Sequence, residues 1–116
     1  MITWISGQSK SGKSTRAREE IAKSKVRWRP TIHLDGDDMR RTISADLGYS
    51  KEDRRENNLR IARLAKLLDS QGFDVIVSTI CPYRELRDKV YRICGCRWIY
   101  LKGGVEHPDY PFEGPQ

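Results

Sequence analysis

The residues with the clearest chemical meaning lie near the start of the chain. Residues 7–14 read Gly-Gln-Ser-Lys-Ser-Gly-Lys-Ser and fit the pattern G-x-x-x-x-G-K-[ST] at every position. A triphosphate is a dense anion that needs several donors converging from one side, and a glycine-rich loop supplies them through its N–H groups. This pattern follows an apolar run and therefore predicts a nucleoside-triphosphate site; the alternative is a Gly/Ser-rich linker.

Each position of this loop has an expected task. Gly7 and Gly12 can adopt backbone angles that a side chain would forbid, so the loop can wrap a β-phosphate. A helix that starts near Lys13 would aim its free N–H groups at the same phosphates, while Lys13 bridges the β- and γ-phosphates and Ser14 ligates Mg²⁺. Lys10 is also explained as a solvated charge. The predicted ATP-binding residues are Gly7, Ser9, Lys10, Ser11, Gly12, Lys13, Ser14 and Thr15.

A second group of chemically active residues follows an apolar stretch at residues 31–34. Asp35, Asp37 and Arg40 lie within six positions of one another. Phosphoryl transfer needs one carboxylate to orient or deprotonate the attacking hydroxyl and another to hold water on the metal. We assign the first role to Asp37 and the second to Asp35, so that the predicted catalytic residues are Asp37, Lys13, Asp35 and Arg40 and the predicted metal ligands are Ser14 and Asp35. The alternative is that these acids only cap a helix and form a turn.

The elements that must position these groups alternate between short β-rich runs and longer helical patterns. This alternation is typical of βαβ units and a parallel sheet. Strands are expected near residues 2–6, 31–35, 74–78 and 97–101, and helices near 13–24, after Gly36, and near 51–70 and 83–93. We predict a three-layer α/β/α domain of the P-loop NTPase type over residues 1–102, with four parallel strands in the order 2-3-1-4. Residues 103–116 are expected to form an irregular tail packed on this domain.

Four ordered motifs resemble the adenylylsulfate kinase family. Residues 35–40 resemble its D-G-D-N-x-R, residues 47–50 its L-G-F-S, residues 53–57 its D-R-x-E-N, and residues 81–84 its S-P-Y-R. The resemblance runs in register from Ile5 to about Leu101. It implies transfer of a phosphoryl group from ATP to the 3′-hydroxyl of adenosine 5′-phosphosulfate, with ATP and Mg²⁺ as cofactors.

The resemblance also implies an acceptor site. Arg40, Arg54 and Asn57 would hold the phosphosulfate, Tyr49 would stack near the adenine, and Asp37 would serve the hydroxyl. Arginines give planar pairs of donors to an oxyanion, and an aromatic ring offers a face to a base. The alternatives are a solvated helix face for Arg54 and Asn57 and a packing role for Tyr49. The predicted acceptor-binding residues are Arg40, Tyr49, Arg54, Asn57, Ile80, Cys81 and Arg84.

The chain departs from the family pattern in two places. After the fourth predicted strand the family has a basic helical lid, whereas Leu101 is followed almost directly by residues 109–115, which resemble the segment that ends the family's pattern. The lid is therefore expected to be absent. In the acceptor region Thr79 replaces an aromatic residue, Asp38 an asparagine and Cys81 a serine.

Composition limits the class of protein. The 116 residues suit one domain, 33% of them are charged, and no apolar stretch approaches the roughly 20 residues of a membrane span. The absence of room for a signal peptide and three cysteines read as reduced packing residues indicate a cytoplasmic protein without a membrane partner. The net charge of +6 implies an anionic partner but does not identify it. A homodimer is possible.

Three functions remain open from the residues. The leading one is a compact kinase that acts on adenylylsulfate, a small-molecule nucleotide. The second keeps the phosphoryl transfer but changes the acceptor to another nucleotide, or to a modified base or 5′ end in nucleic acid, which the missing lid and the basic charge favour. The third is a nucleotide-gated switch or an inactive binding module.

Overall fold

Strands and helices alternate along the chain as the sequence predicts. The computed structural model describes residues 1–8, 10–27 and 29–104. Within this part the elements are β1 (Ile2–Gly7), α1 (Lys13–Val26), β2 (Thr31–Asp35), α2 (Gly36–Arg41), α3 (Lys51–Ser70), β3 (Asp74–Thr79), α4 (Arg84–Cys94) and β4 (Arg97–Leu101). Of the predicted tail, only residues 103 and 104 belong to the described part.

The strands form one parallel sheet in the order β2-β3-β1-β4. This confirms the predicted topology. Because β1 lies between β3 and β4, the loop that follows β1 emerges at the centre of the sheet's carboxyl edge. Residues that follow β2 and β3 reach the same edge, where ligands of open α/β sheets bind.

The two faces of the sheet bury different clusters. The larger core joins β1 and β3 to α3 and α4 and includes Trp4, Val77, Ile61 and Leu86, all without solvent exposure. The smaller core joins Ile5 and Ile76 to α1. The alternation of side chains along each strand makes this division, since neighbouring residues point to opposite faces.

Helix α3 begins at a cap that the sequence indicates. The Ser50 hydroxyl accepts a hydrogen bond from the Asp53 amide at 3.1 Å. The Asp53 carboxylate accepts from the Gly48 amide at 2.8 Å, so it holds the preceding loop and does not complete a reciprocal capping box. At the other end the chain turns through Gly72, whose φ of 92° favours glycine. These two signals explain why the predicted bounds, 51–70, match the observed helix.

The predicted burial of the cysteines is confirmed. Cys81, Cys94 and Cys96 are all free thiols and all buried. In the described part of the chain, no helix is both long and apolar enough to cross a membrane.

One charged side chain is buried on α1. Glu20 is 2% exposed and accepts hydrogen bonds from Arg97 at 2.8 Å and from Lys23 at 3.3 Å. Burial alone would raise the pKa of Glu20, but the hydrogen bonds from Lys23 and Arg97 outweigh it, and the pKa is lowered from 4.5. The pair of Glu20 and Arg97 ties α1 to the edge strand β4.

The lowered pKa of Glu20 predicts a pH dependence of stability. A carboxyl group with a lower pKa in the folded than in the unfolded chain stabilises the fold above its unfolded pKa, and this contribution is lost as the pH falls through the folded pKa. Glu20→Gln should therefore lose less free energy of unfolding than the wild type when the pH drops from neutral to below 4.5. Urea unfolding at several pH values measures this. The exposed neighbour Glu19, changed to Gln, is the control and should behave as the wild type.

Candidate active site

The phosphate loop joins β1 to α1 and has the backbone that its sequence predicts. Gly12 has a φ of 95° and Lys10 a φ of 62°, so two residues of the loop are left-handed. A β-carbon on Gly7 would lie 2.5 Å from the Ser11 hydroxyl oxygen and 3.1 Å from the Leu101 carbonyl oxygen. A larger residue here would displace the Ser11 side chain and crowd the backbone at the end of β4. The predicted phosphate-binding residue Ser9 lies outside the described residues.

Lys13 is the first residue of α1 and its ammonium group closes the loop. Nζ donates to the Gly7 carbonyl at 3.0 Å and to the Gln8 carbonyl at 2.8 Å. Burial lowers the pKa of Lys13, and the opposing effect of Asp35 and Asp37 is smaller. Lys13 follows β1, and Asp35 and Asp37 lie at the end of β2 and the start of α2, so the parallel sheet places all three residues at its carboxyl edge.

Asp35 is the N-cap of α2. Its Oδ2 accepts from the amides of Asp37 at 3.1 Å and Asp38 at 3.3 Å, while Oδ1 accepts from the Ser78 hydroxyl at 3.1 Å. The cap that the sequence offered as the alternative role of Asp35 is thus present. Each carboxylate oxygen offers about two acceptor positions, so Oδ1 keeps one for a further donor or a metal. Asp37 lies in the first turn of α2 with an exposed side chain.

Three of the predicted acceptor residues form one cluster. The guanidinium of Arg40 lies 4.5 Å from the centre of the Tyr49 ring, and that of Arg54 lies 5.7 Å from it. Arg40 also donates to the Gly48 carbonyl at 2.6 Å, and Arg54 Nε donates to the Tyr49 carbonyl at 3.2 Å. Burial and then the positive charge of Arg54 lower the pKa of Arg40. Two like charges held together in this way favour an anion between them.

Burial corrects two alternatives that the sequence left open. Arg54 is 8% and Asn57 2% exposed, so neither belongs to a solvated helix face. Tyr49 is 60% exposed and so is not a core packing residue. Asn57 Oδ1 is buried and, among the described residues, receives no hydrogen bond. A buried acceptor without a donor is rare in proteins, and this one lies where the sequence predicts a ligand.

The segment after β3 contributes less side-chain chemistry than the sequence suggests. Cys81 has no exposed surface and belongs to the larger core, and burial raises the pKa of its thiol to about 12. Any contact of Cys81 with an acceptor must therefore use its main chain, whose carbonyl accepts from Arg87 at 2.8 Å. Ile80 likewise presents its carbonyl to Asn58, at 3.4 Å. Arg84 is exposed at the start of α4.

Thr79 joins the sheet to α3 through a buried network that the sequence did not reveal. Its hydroxyl receives the indole N–H of Trp4 at 3.0 Å and donates to Asn58 Oδ1 at 2.9 Å. A β-carbon on Gly36 would lie 3.2 Å from the Thr79 methyl group, so Thr79 also packs under the start of α2. The small side chain of Thr79 therefore allows the start of α2 to lie close to β3.

The described residues hold no cluster of three or more His, Cys, Asp or Glu side chains that could bind a metal by themselves. Mg²⁺ in nucleotide sites is usually held by one or two protein oxygens together with phosphates and water. Ser14, exposed in the first turn of α1, and the remaining acceptor position on Asp35 fit this pattern.

Comparison with known protein families gives evidence on the family of this chain that does not depend on the geometry of the site. The family model described as adenylylsulphate kinase matches residues 1–104. The chain belongs to this family. The match covers every described strand and helix of the chain.

Curated relatives of the adenylylsulphate kinase family are similar to the chain over about three quarters of its length. The adenylyl-sulfate kinase of Bacillus velezensis is 45% identical over 89 residues, which are 77% of this chain and 45% of that protein. The enzyme of the same name from Geotalea uraniireducens is 46% identical over 92 residues, or 78% of this chain and 43% of the other. The chain thus spans about half the length of these relatives.

A solved structure from the adenylylsulphate kinase family shows the same fold. The APS kinase of Mycobacterium tuberculosis in complex with AMPPNP and APS superposes with a TM-score of 0.75 at 36% identity, over 85% of this chain and 59% of that one. The P-loop fold of the chain is thereby confirmed.

Proposed function

We propose that this chain transfers the γ-phosphoryl group of ATP to the 3′-hydroxyl of adenosine 5′-phosphosulfate. The observation that carries the proposal is the topology: the phosphate loop with Lys13 follows β1, and Asp35 and Asp37 lie at the end of β2 and the start of α2, so all three are at the carboxyl edge of one parallel sheet. A lysine for the donor phosphates and carboxylates for the metal and the acceptor hydroxyl are the parts that phosphoryl transfer needs. The M. tuberculosis relative binds AMPPNP and APS, which supports this pair of ligands.

ATP would enter with its phosphates on the loop and on the first turn of α1. Lys13 already points its ammonium group at the loop carbonyls, so it would exchange part of these bonds for β- and γ-phosphate oxygens. The amides at the start of α1 add their dipoles, and no acidic residue in that first turn opposes an anion. ATP binding would thus need little rearrangement of the loop.

Mg²⁺ would be held by the Ser14 hydroxyl, by phosphate oxygens and by a water on Asp35. The cap of α2 occupies Asp35 Oδ2 with two amides, so the single position left on Oδ1 suits a bound water better than a direct bond to the metal. The ion would neutralise charge on the β- and γ-phosphates. Asp37, exposed one residue into α2, would orient the acceptor hydroxyl and take its proton.

The acceptor would lie over the Arg40, Tyr49 and Arg54 cluster. The two guanidiniums would bind the phosphosulfate as paired donors, and the exposed ring of Tyr49 would stack on the adenine. Asn57 Oδ1 is an acceptor and cannot bind the phosphosulfate, so this atom would accept a hydrogen bond from a hydroxyl or N–H group of the ligand. Arg84 would add charge at the rim, and Ile80 and Cys81 would contribute main-chain contacts.

Removal of the exposed ring should affect only the acceptor. Tyr49→Ala is expected to raise the KM for adenosine 5′-phosphosulfate by about tenfold, because stacking of a base on an aromatic side chain contributes about 1–3 kcal/mol. The KM for ATP should not change, since the phosphate loop is separate. Tyr91, which is 55% exposed on α4, gives the matched control Tyr91→Ala with wild-type constants. An equal rise of both KM values in Tyr49→Ala would contradict the assignment.

Transfer of label from γ-labelled ATP tests the proposed function. The chain is offered adenosine 5′-phosphosulfate, adenosine 5′-phosphate and oligonucleotides in parallel, and label should appear on the first. Label on an oligonucleotide, with binding that weakens steeply as salt rises, would instead support the nucleic-acid acceptor that the charge of +6 leaves open. ATP binding without transfer to any acceptor would support an inactive binding module.

Among the described residues, no segment is a candidate for a lid that would close the site. The predicted absence of a lid concerns residues beyond 104, which lie outside the described part. Without a lid, water would reach the phosphates and ATP hydrolysis would compete with transfer. A second copy of the chain could cover the site, and sedimentation of the chain with and without ligands would reveal such a dimer.

A further inference from the structure

Three polar side chains form a line on the α1 face of the sheet, next to the site. His33 and Asp35 are two residues apart on β2 and so point to the same face, and Ser78 is paired with Asp35 in the register of β2 and β3. His33 Nε2 lies 2.7 Å from Ser78 Oγ, and Ser78 Oγ lies 3.1 Å from Asp35 Oδ1. Nothing in the sequence pattern indicates this contact, because it depends on the register of β2 and β3.

The direction of the hydrogen bonds in this line follows from the chemistry of its members. A carboxylate can only accept, so the Ser78 hydroxyl must donate its single proton to Asp35. Ser78 Oγ is then an acceptor toward the imidazole, and His33 Nε2 must carry a proton. The chain therefore runs from His33 N–H to the Ser78 hydroxyl and on to Asp35, and each bond polarises the next.

This line ends at Asp35, the residue that caps the N-terminus of α2. The two amide bonds that Asp35 accepts, 3.1 and 3.3 Å long, both end on Oδ2 and so hold only one of the two carboxylate oxygens. A third bond, on Oδ1, fixes its plane because Ser78 is 1% exposed and packed in the sheet. The position of the cap in turn fixes the first turn of α2, which carries Asp37.

We propose that His33 and Ser78 are positioning residues for the phosphoryl transfer: they hold the Asp35 carboxylate, and through the cap of α2 they hold Asp37 toward the acceptor hydroxyl. The proposal rests on the proposed function for its kinetic part. Its structural part is that His33 and Ser78 fix the Asp35 carboxylate that caps α2. This part concerns the free protein and does not depend on any substrate.

The chain offers a matched control at the amino ends of the strands, away from the site. Ser24, which is 1% exposed, donates to the buried carboxylate of Asp74 at 2.7 Å. Ser24→Ala and Ser78→Ala therefore each remove one buried hydroxyl that donates to an aspartate. Only Ser78 is linked to the site, so a loss of stability alone would affect both variants alike, whereas a positioning role would affect only one.

The test combines steady-state kinetics with amide hydrogen exchange measured by NMR. Ser78→Ala is expected to lower kcat by about tenfold, as loss of an outer-shell partner often does, with the KM for ATP nearly unchanged. His33→Leu should lower kcat about threefold, which corresponds to the loss of one ordinary hydrogen bond. His33→Gln, whose amide can still donate, should restore most of this kcat. Ser24→Ala should keep the wild-type kcat.

The exchange measurement decides the structural part by itself. In the free protein, Ser78→Ala should speed exchange of the Asp37 and Asp38 amides relative to the rest of the chain, and Ser24→Ala should not. Unchanged exchange at these amides, or an equal fall of kcat in Ser78→Ala and Ser24→Ala, would overturn the proposal. If the wild type transfers label to no acceptor, the proposed function fails, and the exchange rates alone then support or overturn the hold on the cap.

Discussion

Replacement of Lys13 with alanine is expected to lower kcat/KM for phosphoryl transfer by about 10³-fold, the upper range for loss of one donor aimed at a developing charge. Lys13 is held by the Gly7 and Gln8 carbonyls at the mouth of the loop, and burial lowers its pKa, so its ammonium group is partly stripped of water before ATP arrives. A charge in that setting acts more strongly on a phosphate than a solvated one. Coupled-assay kinetics and ATP titration of the variant measure the effect.

The control for this variant lies on the same helix. Lys25→Ala removes an exposed lysine from the last turn of α1 and should leave kcat/KM unchanged. Circular dichroism and thermal unfolding establish that both variants are folded. A Lys13→Ala variant that is folded and keeps wild-type turnover would exclude the phosphate loop from the reaction, and would leave the loop as a structural turn.

Asp37→Ala is expected to lower kcat by about 10³-fold, within the usual range for loss of a general base. ATP affinity should stay near that of the wild type, because the nucleotide is held by the loop and α1. The reason is positional: Asp37 lies in the first turn of α2, directly after β2 at the carboxyl edge of the sheet, and its side chain is exposed, so an acceptor could reach it. Kinetics with isothermal titration of ATP separates the two effects.

Asp38 gives the matched control for Asp37. It is the next residue, it is equally exposed, and it forms an ion pair with Arg41 one helical turn later. Asp38→Ala should therefore lose only the small contribution of an exposed ion pair to stability and none of the turnover. Equal losses of kcat in the two variants would mean that the net charge near the phosphates matters, and not a base at Asp37.

The fold was predictable because its signals are local. The phosphate loop requires a strand before it and a helix after it, and β1 and α1 confirm both. β2, α3 and β4 match their predicted bounds because Gly, Pro and capping residues flank them. The ends of β1, α1, β3 and α4 differ from the predictions by one or two residues, which is the usual spread for element boundaries.

The site was predictable only in its motif residues. Spacing brings Lys13, Asp35 and Asp37 to one edge, because the carboxyl ends of parallel strands meet there. Spacing does not reveal burial or hydrogen-bond partners. The inward turn of the Cys81 thiol and the link from Ser78 to Asp35 depend on which face of β3 each residue occupies and on the pairing of β2 with β3. The predicted strand order makes β2 and β3 neighbours, but the register that sets Ser78 against Asp35 becomes visible only in the folded chain.

A crystal structure of the chain with AMPPNP, Mg²⁺ and adenosine 5′-phosphosulfate tests the central assignment most directly. We expect Lys13 Nζ within about 3 Å of a β- or γ-phosphate oxygen and an Asp37 carboxylate oxygen within about 3 Å of the acceptor's 3′-hydroxyl. An acceptor bound elsewhere, or an Asp37 side chain turned away from the γ-phosphate with another group on the hydroxyl, would contradict it.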